Sequence, residues 1–167
     1  MTSACAWGCE LFLLVANTLL IYQSYSMSGS TEGKKNEVLR VVALCWQHLP
    51  SGRYLLARRK EGSRGAGEWE FPGGKVESGE SDERALVREI EEELGFTLDQ
   101  GRLHFLGKHT HPYPQRLIEI NLWGYSSAEL PVLQLTDHDR ADWFSRVEIE
   151  SLRLSEGDKS FISLLKN

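Results

Sequence analysis

Cysteine is scarce in this chain, and basic residues are fewer than acidic ones, with 19 lysines and arginines against 24 aspartates and glutamates. Only Cys5, Cys9 and Cys45 occur among 167 residues, with neither the spacing of metal ligands nor enough pairs for a disulfide framework. We therefore expect a reducing, cytoplasmic compartment. The formal net charge of -5 argues against an extended nucleic-acid-binding surface, which needs clustered lysines and arginines. A small anionic ligand held through a metal ion is compatible with this charge.

The N-terminal stretch lacks basic residues altogether, because no lysine or arginine precedes Lys34. Residues 11–22 are almost wholly apolar, yet this run is shorter than the roughly 20 residues of a membrane span, and the basic start of a signal peptide is missing. Three interpretations stay open: an extension outside the fold, with Met27 as an alternative start; a membrane-associated or packed helix; and a cleaved leader. Membrane contact is expected only if residues 11–22 belong to the native protein.

The rest of the chain has the composition of one globular domain. An apolar content of 41% is enough to form a single core at this length, and we find neither an internal repeat nor a second domain. We therefore divide the chain into an N-terminal extension, residues 1–36, and one folded domain, residues 37–167.

Runs of apolar and β-branched residues alternate with turn-forming residues along this domain. The first runs predict a hairpin with a following surface loop: strands at 38–46 and 53–59, a turn at 49–52 and a loop at 60–67. The later runs predict a second set of elements: strands at 103–109, 117–125 and 141–144, a turn at 111–114 and a helix near 155–165. This alternation favours a mixed α/β fold.

One helix is predicted with clear ends. Ser81 suits an N-cap, acidic residues follow it, and Gly95 suits a left-handed C-cap, so the helix covers residues 82–94. At 100° per residue, one face is apolar and must be buried: Leu86, Val87, Ile90 and Leu94. Three carboxylates share a different face: Glu89, Glu92 and Glu93.

Glutamates spaced three and four residues apart repel one another on a helix, by a few tenths of a kcal/mol per pair. A cation would remove this repulsion, and hard oxygen ligands suit Mg²⁺, with Mn²⁺ as a substitute. A solvated glutamate face without function is the alternative interpretation of the helix taken alone.

The segment before the helix carries a Gly73-Gly74 pair, whose backbone can approach a ligand closely. Together with the helix it matches a nine-position pattern: Gly74, Glu80, Arg88, Glu89, Ile90, Glu92, Glu93, Gly95 and Phe96. This pattern is the Nudix box, and every defined position stands at the correct spacing. From about residue 38 onward the chain resembles the Nudix hydrolases, and within them the MutT-like nucleoside triphosphate pyrophosphohydrolases.

The resemblance implies an α/β/α sandwich around a mixed β-sheet, and an activity. The expected reaction is Mg²⁺-dependent hydrolysis of a nucleoside triphosphate, such as 8-oxo-dGTP or a cytidine derivative, to the monophosphate and pyrophosphate. Alternatives within enzymes are an RNA 5′ pyrophosphohydrolase and a nucleotide-sugar diphosphatase. From a different class, a non-catalytic nucleotide-sensing module is an alternative that the intact carboxylates disfavour.

The resemblance also implies roles for single residues. The expected metal ligands are Glu89, Glu92, Glu93 and the Gly73 carbonyl. Glu89, Asp137 or the adjacent His138 would activate water. For Asp137 and His138, the alternative interpretation is a solvated turn without catalytic function. The box residues with a structural role are Gly74, Glu80, Arg88 and Gly95, and Arg88 can orient carboxylates by a bidentate pair.

Substrate contacts are predicted from residues that flank the box. Arg58, Arg59 and Lys75 are candidates to bind phosphate, although an ordinary surface role is the alternative for each. Asp158 stands near the position from which the MutT-like branch reads the base. Four aromatic residues are candidates to stack on that base, although strand aromatics belong more often to the core: Phe71, Phe105, Tyr113 and Trp123.

Overall fold

A computed structural model describes residues 38–113 and 116–166. Its strands are β1 (Leu39–His48), β2 (Arg53–Arg59), β3 (Trp69–Glu70), β4 (His104–Tyr113), β5 (Arg116–Ser127) and β6 (His138–Phe144). Its helices are α1 (Asp82–Leu94) and α2 (Arg146–Glu150), with 3-10 helices at Gln100–Arg102 and Asp158–Leu164. The predictions for residues 1–36, the domain boundary included, lie outside the described residues. None of the helices within 38–113 and 116–166 is long and apolar enough to cross a membrane.

The six strands form one mixed sheet in the order β3-β2-β1-β5-β4, and β6 also pairs with β2. β1 and β5 are parallel, with Leu39 opposite Ile118, whereas the other strand pairs are antiparallel. β1 is buried on both faces at its centre because it lies in the middle of the sheet. The predicted hairpin of β1 and β2 and the predicted mixed α/β class are confirmed.

Two apolar layers cover the two faces of this sheet. Successive side chains of β1 alternate between them, since a strand presents its residues to opposite faces. On one face Val42 and Leu44 pack with α1. On the other face Ala43 packs with α2 residue Ile149 and with Phe161 of the second 3-10 helix. This arrangement is the α/β/α sandwich that the resemblance implies.

Helix α1 has the ends and the buried face that the sequence predicts. The Ser81 hydroxyl accepts a hydrogen bond from the backbone N–H of Arg84, and Gly95 ends the helix with φ 65°. The predicted apolar face is buried, with Leu86, Ile90 and Leu94 fully so and Val87 partly. The opposite side of α1 is therefore free to carry its carboxylates.

Two predictions for the later part of the chain were wrong, and one alternative interpretation, a solvated turn at His138, does not hold. The predicted turn at 111–114 begins inside β4, which continues through Tyr113 and tolerates Pro112 because β4 is an edge strand. The predicted final helix is a shorter 3-10 helix, Asp158–Leu164. His138 does not lie in a solvated turn, because it is buried and pairs with Arg59 at the start of β6.

Helix α2 was missed by the sequence prediction, although its signal was present. Ser145 accepts from the backbone of Glu148, and the Glu148 side chain accepts from the backbone of Ser145. This reciprocal pair is a capping box, which marks a helix start. The helix has only five residues, so no apolar periodicity accompanies it.

Candidate active site

A cavity of about 650 Å³ opens between the sheet and the loops at one end of it. Its floor is apolar and comes from the central strands, with Val42 and Ala43 of β1 and Ile120 of β5. Polar and charged residues surround this floor. We call the wall at Gly73, Gly74 and Glu93 the glycine side, and the wall at Tyr113 and Asp158 the Asp158 side.

The two glycines of the glycine side are needed for close packing. Val42 N–H donates to the Gly74 carbonyl at 2.9 Å, so this segment lies directly against β1. Gly73 has φ 148°, and a Cβ on it would collide with the Val42 carbonyl. A Cβ on Gly74 would collide with the carboxylate of Glu89. The pair therefore lets the backbone contact both the sheet and helix α1.

Glu93 reaches the cavity from helix α1. Its Oε2 accepts a hydrogen bond from Gly73 N–H at 3.1 Å. The pKa of Glu93 is raised to about 7, chiefly by burial and to a smaller extent by the charges of Glu70 and Glu89, while His138 opposes the shift. A cation beside this buried carboxylate would stabilise its ionised form.

Arg88 holds the other box carboxylates. Its Nε and Nη2 donate to the two oxygens of Glu80 at 3.1 and 3.0 Å, which is a bidentate pair. Its Nη1 lies 2.8 Å from Glu89 Oε1 and 3.5 Å from Glu92 Oε2. The side chain of Glu89 is 15% exposed and that of Glu92 is 62% exposed. The orienting role of Arg88 stays a prediction, with this geometry in its favour.

The predicted metal ligands are brought to one region without forming a closed cluster. Within the described ranges, no group of three or more histidine, cysteine or acidic side chains is arranged to hold a metal ion. Glu93 lines the cavity, whereas Glu89, which lies against Gly74, and the largely exposed Glu92 are absent from the cavity lining. Carboxylate and carbonyl oxygens are nevertheless the ligands that Mg²⁺ takes, and the raised pKa of Glu93 fits a cation site. The donor chemistry of these residues fits the ion.

Glu70 connects several groups of the cavity and was not singled out from the sequence. Its Oε1 accepts from Nε2 of His138 at 2.9 Å, and its Oε2 lies 2.6 Å from Nη1 of Arg59. The His138 side chain is 2% exposed, and its Nδ1 has no hydrogen-bond partner among the described residues. Only the pairing of β2 with β6 brings His138 here, so no local sequence signal could show this contact.

The candidate phosphate-binding residues occupy different places. Arg59 lines the cavity and is paired with Glu70, whereas Arg58 and Lys75 are absent from the cavity lining. Arg58 instead pairs with Asp139 at 2.8 Å. The phosphate-binding role of these residues stays a prediction.

Asp137 lines the cavity from its rim. Its side chain is 69% exposed, and its Oδ1 lies 3.0 Å from Nζ of Lys60, which also lines the cavity. The turn that contains Asp137 is held to helix α1, because Thr136 N–H donates to the Glu93 carbonyl. An acidic side chain thus stands beside Glu93 without contacting it.

Asp158 forms the Asp158 side together with residues that are distant in sequence. Its Oδ2 accepts from Phe71 N–H at 3.2 Å and from the Ser155 hydroxyl at 2.8 Å. Burial raises the pKa of Asp158 to about 7, and the charge of Glu70 adds to this shift. An acid with this pKa can donate as well as accept a hydrogen bond near neutral pH.

The four candidate aromatic residues divide between the cavity and other places. Phe71 and Tyr113 line the cavity. Phe105 and Trp123 contact each other with ring centroids 5.6 Å apart, and neither belongs to the cavity lining. Stacking on a ligand in this cavity is therefore restricted to Phe71 and Tyr113 among these four.

Comparison with known proteins identifies the family. Residues 38–165 match the model of the NUDIX domain. The CTP pyrophosphohydrolase of Escherichia coli (strain K12) is 37% identical over 122 residues, which are 73% of this chain and 87% of that protein. The 8-oxo-dGTP diphosphatase of Proteus vulgaris is 36% identical over 90 residues, 54% of this chain and 76% of that protein. The solution structure of the E. coli ORF135 protein superposes with a TM-score of 0.66 at 31% identity, covering 80% of this chain and 92% of that one. The chain belongs to the Nudix hydrolase family.

Proposed function

We propose that this protein hydrolyses a nucleoside triphosphate to the monophosphate and pyrophosphate, in a reaction that requires Mg²⁺ or, as a substitute, Mn²⁺. The observation that carries the proposal is a cavity that joins the Nudix box residues Gly74 and Glu93, with the adjacent Gly73, to a polar wall at Asp158. The first wall suits phosphates with a cation, and the second suits a base.

Glu89, Glu92 and Glu93, with the carbonyl of Gly73, would hold the metal ion. When bound, the ion neutralises phosphate charge and activates a water molecule. Gly73 N–H contacts Glu93, and the carbonyls on either side, those of Pro72 and Gly74, accept from β1.

The chain's own residues would position phosphate and accept the proton of water. Arg88 keeps the Glu89 carboxylate at Gly74, where it is available as a base. Asp137 is a second candidate at the cavity rim, fixed by Lys60. His138 is a third, because its Nε2–H is engaged by Glu70 and its Nδ1 is the nitrogen left to accept a proton.

At the Asp158 side, Asp158 and Phe71 are proposed to bind the nucleoside. The two relatives are a CTP pyrophosphohydrolase and an 8-oxo-dGTP diphosphatase, so their substrates carry cytosine and an oxidised guanine. A carboxyl group that both donates and accepts hydrogen bonds can pair with the edge of cytosine or with that of oxidised guanine. We therefore propose CTP and 8-oxo-dGTP as the first substrates to test.

The full chain should be incubated with Mg²⁺ and CTP, dCTP, GTP, 8-oxo-dGTP, a nucleotide sugar or a short RNA with a 5′ triphosphate. The expected products are a nucleoside monophosphate and pyrophosphate from at least one free nucleoside triphosphate, with no turnover in EDTA. Cleavage of the nucleotide sugar or the RNA alone would contradict the proposal, as would release of inorganic phosphate in place of pyrophosphate.

A further inference from the structure

The basic side chains in the described cavity lining are Arg59, Lys60 and Arg64, and they differ in their partners. Arg59 is paired with Glu70, and Lys60 is paired with Asp137. Arg64 has no ion pair with any residue in 38–113 or 116–166. Its guanidinium is therefore not committed to a carboxylate and is available to a ligand.

Arg64 is nevertheless held in place. Its guanidinium carbon lies 4.9 Å from the ring centroid of Tyr113, within the range of a cation–π contact. Its backbone carbonyl accepts from Nε of Arg59 at 2.5 Å. The loop between β2 and β3 is thus fixed to β2 through Arg59 and reaches across to the end of β4.

The contact between Arg64 and Tyr113 lies at the Asp158 side of the cavity. The Tyr113 hydroxyl is 3.7 Å from the position of a Cβ on Gly157, the residue before Asp158. Burial raises the pKa of Tyr113, and the charge of Asp158 adds to this shift while Arg64 opposes it. Two flat groups, a guanidinium and a phenol ring, therefore stand beside the proposed base-binding acid.

We propose that Arg64 and Tyr113 form a stacking wall for the nucleobase, and that Arg64 is a specificity-determining residue of this enzyme. A planar guanidinium stacks on a base and can donate hydrogen bonds to the oxygen and nitrogen acceptors of its edge. A phenol ring behind it supports the stack. This inference rests on the proposed function, since it assigns the nucleoside of that substrate to the Asp158 side.

The variants Arg64→Ala and Arg64→Lys test the stacking wall, with Arg84→Ala as a matched control. Arg84 is an exposed arginine of helix α1 and is not in the cavity lining. Tyr113→Phe keeps the ring and Tyr113→Leu removes it. KM and kcat are measured with the best nucleoside triphosphate, and inorganic tripolyphosphate serves as a competitor without a base.

We expect Arg64→Ala and Tyr113→Leu to raise KM about tenfold, with kcat nearly unchanged. Arg64→Lys should resemble Arg64→Ala, because lysine keeps the positive charge but lacks the planar guanidinium group. Arg84→Ala should resemble the wild type, and Tyr113→Phe, which keeps the ring, should raise KM less than Tyr113→Leu. The inhibition constant of tripolyphosphate should not change in any of these variants.

An unchanged KM in Arg64→Ala would overturn the inference. A parallel rise of the tripolyphosphate inhibition constant would also overturn it, because Arg64 would then bind phosphate. If the wild type hydrolyses no nucleoside triphosphate, the proposed function fails separately. The stacking wall is then tested by calorimetry with CMP and 8-oxo-dGMP: weaker binding by Arg64→Ala supports it, and equal or absent binding contradicts it.

Discussion

The glycine side and the Asp158 side of the cavity each contain a buried carboxyl group whose pKa is raised to about 7. Their surroundings differ. Glu93 accepts one backbone N–H, from Gly73, and shares its helix with Glu89 and Glu92, which Arg88 contacts. Asp158 accepts from Phe71 and Ser155, and the Tyr113 ring with the Arg64 guanidinium against it lines the same side of the cavity.

The surroundings of Glu93 and Asp158 indicate different functions for the two carboxyl groups, although both have a raised pKa. Further carboxylates near Glu93 increase negative charge, which favours a cation and the phosphates that it binds. Neutral donors and flat groups near Asp158 favour a neutral, planar ligand. We therefore propose that the reaction takes place at the glycine side and that the base is selected at the Asp158 side.

The largest expected effect comes from Glu93→Gln. Loss of the charge removes an expected cation ligand and keeps the size of the side chain, so kcat should fall about a thousandfold or more. Glu91→Gln is the matched control, because Glu91 is an exposed glutamate of the same helix. Steady-state kinetics with Mg²⁺ measures both. A Glu93→Gln enzyme as active as the control would remove Glu93 from the mechanism.

Arg88→Lys should have the next largest effect. Lysine cannot make the bidentate pair with Glu80 while contacting Glu89. Because the carboxylates would lose their orientation, kcat should fall about 10- to 100-fold. Arg84→Lys is the control on the exposed face of the helix. Equal kcat values in the two variants would mean that the Arg88 contacts do not orient the site.

Asp158→Asn should stabilise the protein in a pH-dependent way. The folded-state pKa of Asp158 is raised to about 7, so the folded protein holds this proton more tightly than the unfolded chain. The stability that protonation contributes is complete below about pH 4, the pKa of an unfolded aspartate, and is lost as the pH rises through about 7. Asparagine has no charge to bury, so it avoids this loss.

Urea unfolding at several pH values measures this effect. The variant should gain on the order of a few kcal/mol above pH 7 and nothing near pH 4. Ser160→Ala, which removes a hydroxyl from the same 3-10 helix, controls for local changes there. A gain that is the same at every pH would contradict the raised pKa of Asp158.

Glu70→Gln should have the smallest effect on activity, and it should change the pKa of a carboxyl group at both the glycine side and the Asp158 side. The charge of Glu70 raises the pKa values of Glu93 and Asp158, so its removal should lower both. Since ionised Glu93 is the form that binds a cation, kcat/KM of the wild type should rise with pH through about 7. In the variant this rise should move to lower pH. If kcat/KM rose at the same pH in the variant and in the wild type, Glu70 would not link the two sides.

The glycine side was predictable from the sequence because its residues are close together in the chain. Ser81 and Gly95 mark the ends of α1, and the resemblance to the Nudix hydrolases implied that Glu93 and the Gly73 backbone belong to one site, where the two are in contact. Gly74 is required by its contact with Glu89, which a family pattern reflects directly.

The Asp158 side was only partly predictable because long-range pairing creates it. Tyr113 was expected in a turn, and the edge position of β4 keeps it in a strand instead. The contact of Glu70 with His138 depends on the register of β2 with β6. Arg64 lies in a glycine- and charge-rich loop whose sequence indicates only a surface loop, and its contact with Tyr113 joins segments far apart in the chain.

The most direct test of the division into two sides is the ratio of kcat/KM for CTP to kcat/KM for 8-oxo-dGTP, measured in Glu93→Asp and Asp158→Asn. Glu93→Asp should lower both values and leave their ratio unchanged, because it affects only the reaction. Asp158→Asn should change the ratio about tenfold and keep kcat for the better substrate. A shifted ratio in Glu93→Asp, or an equal loss on both substrates in Asp158→Asn, would contradict the account.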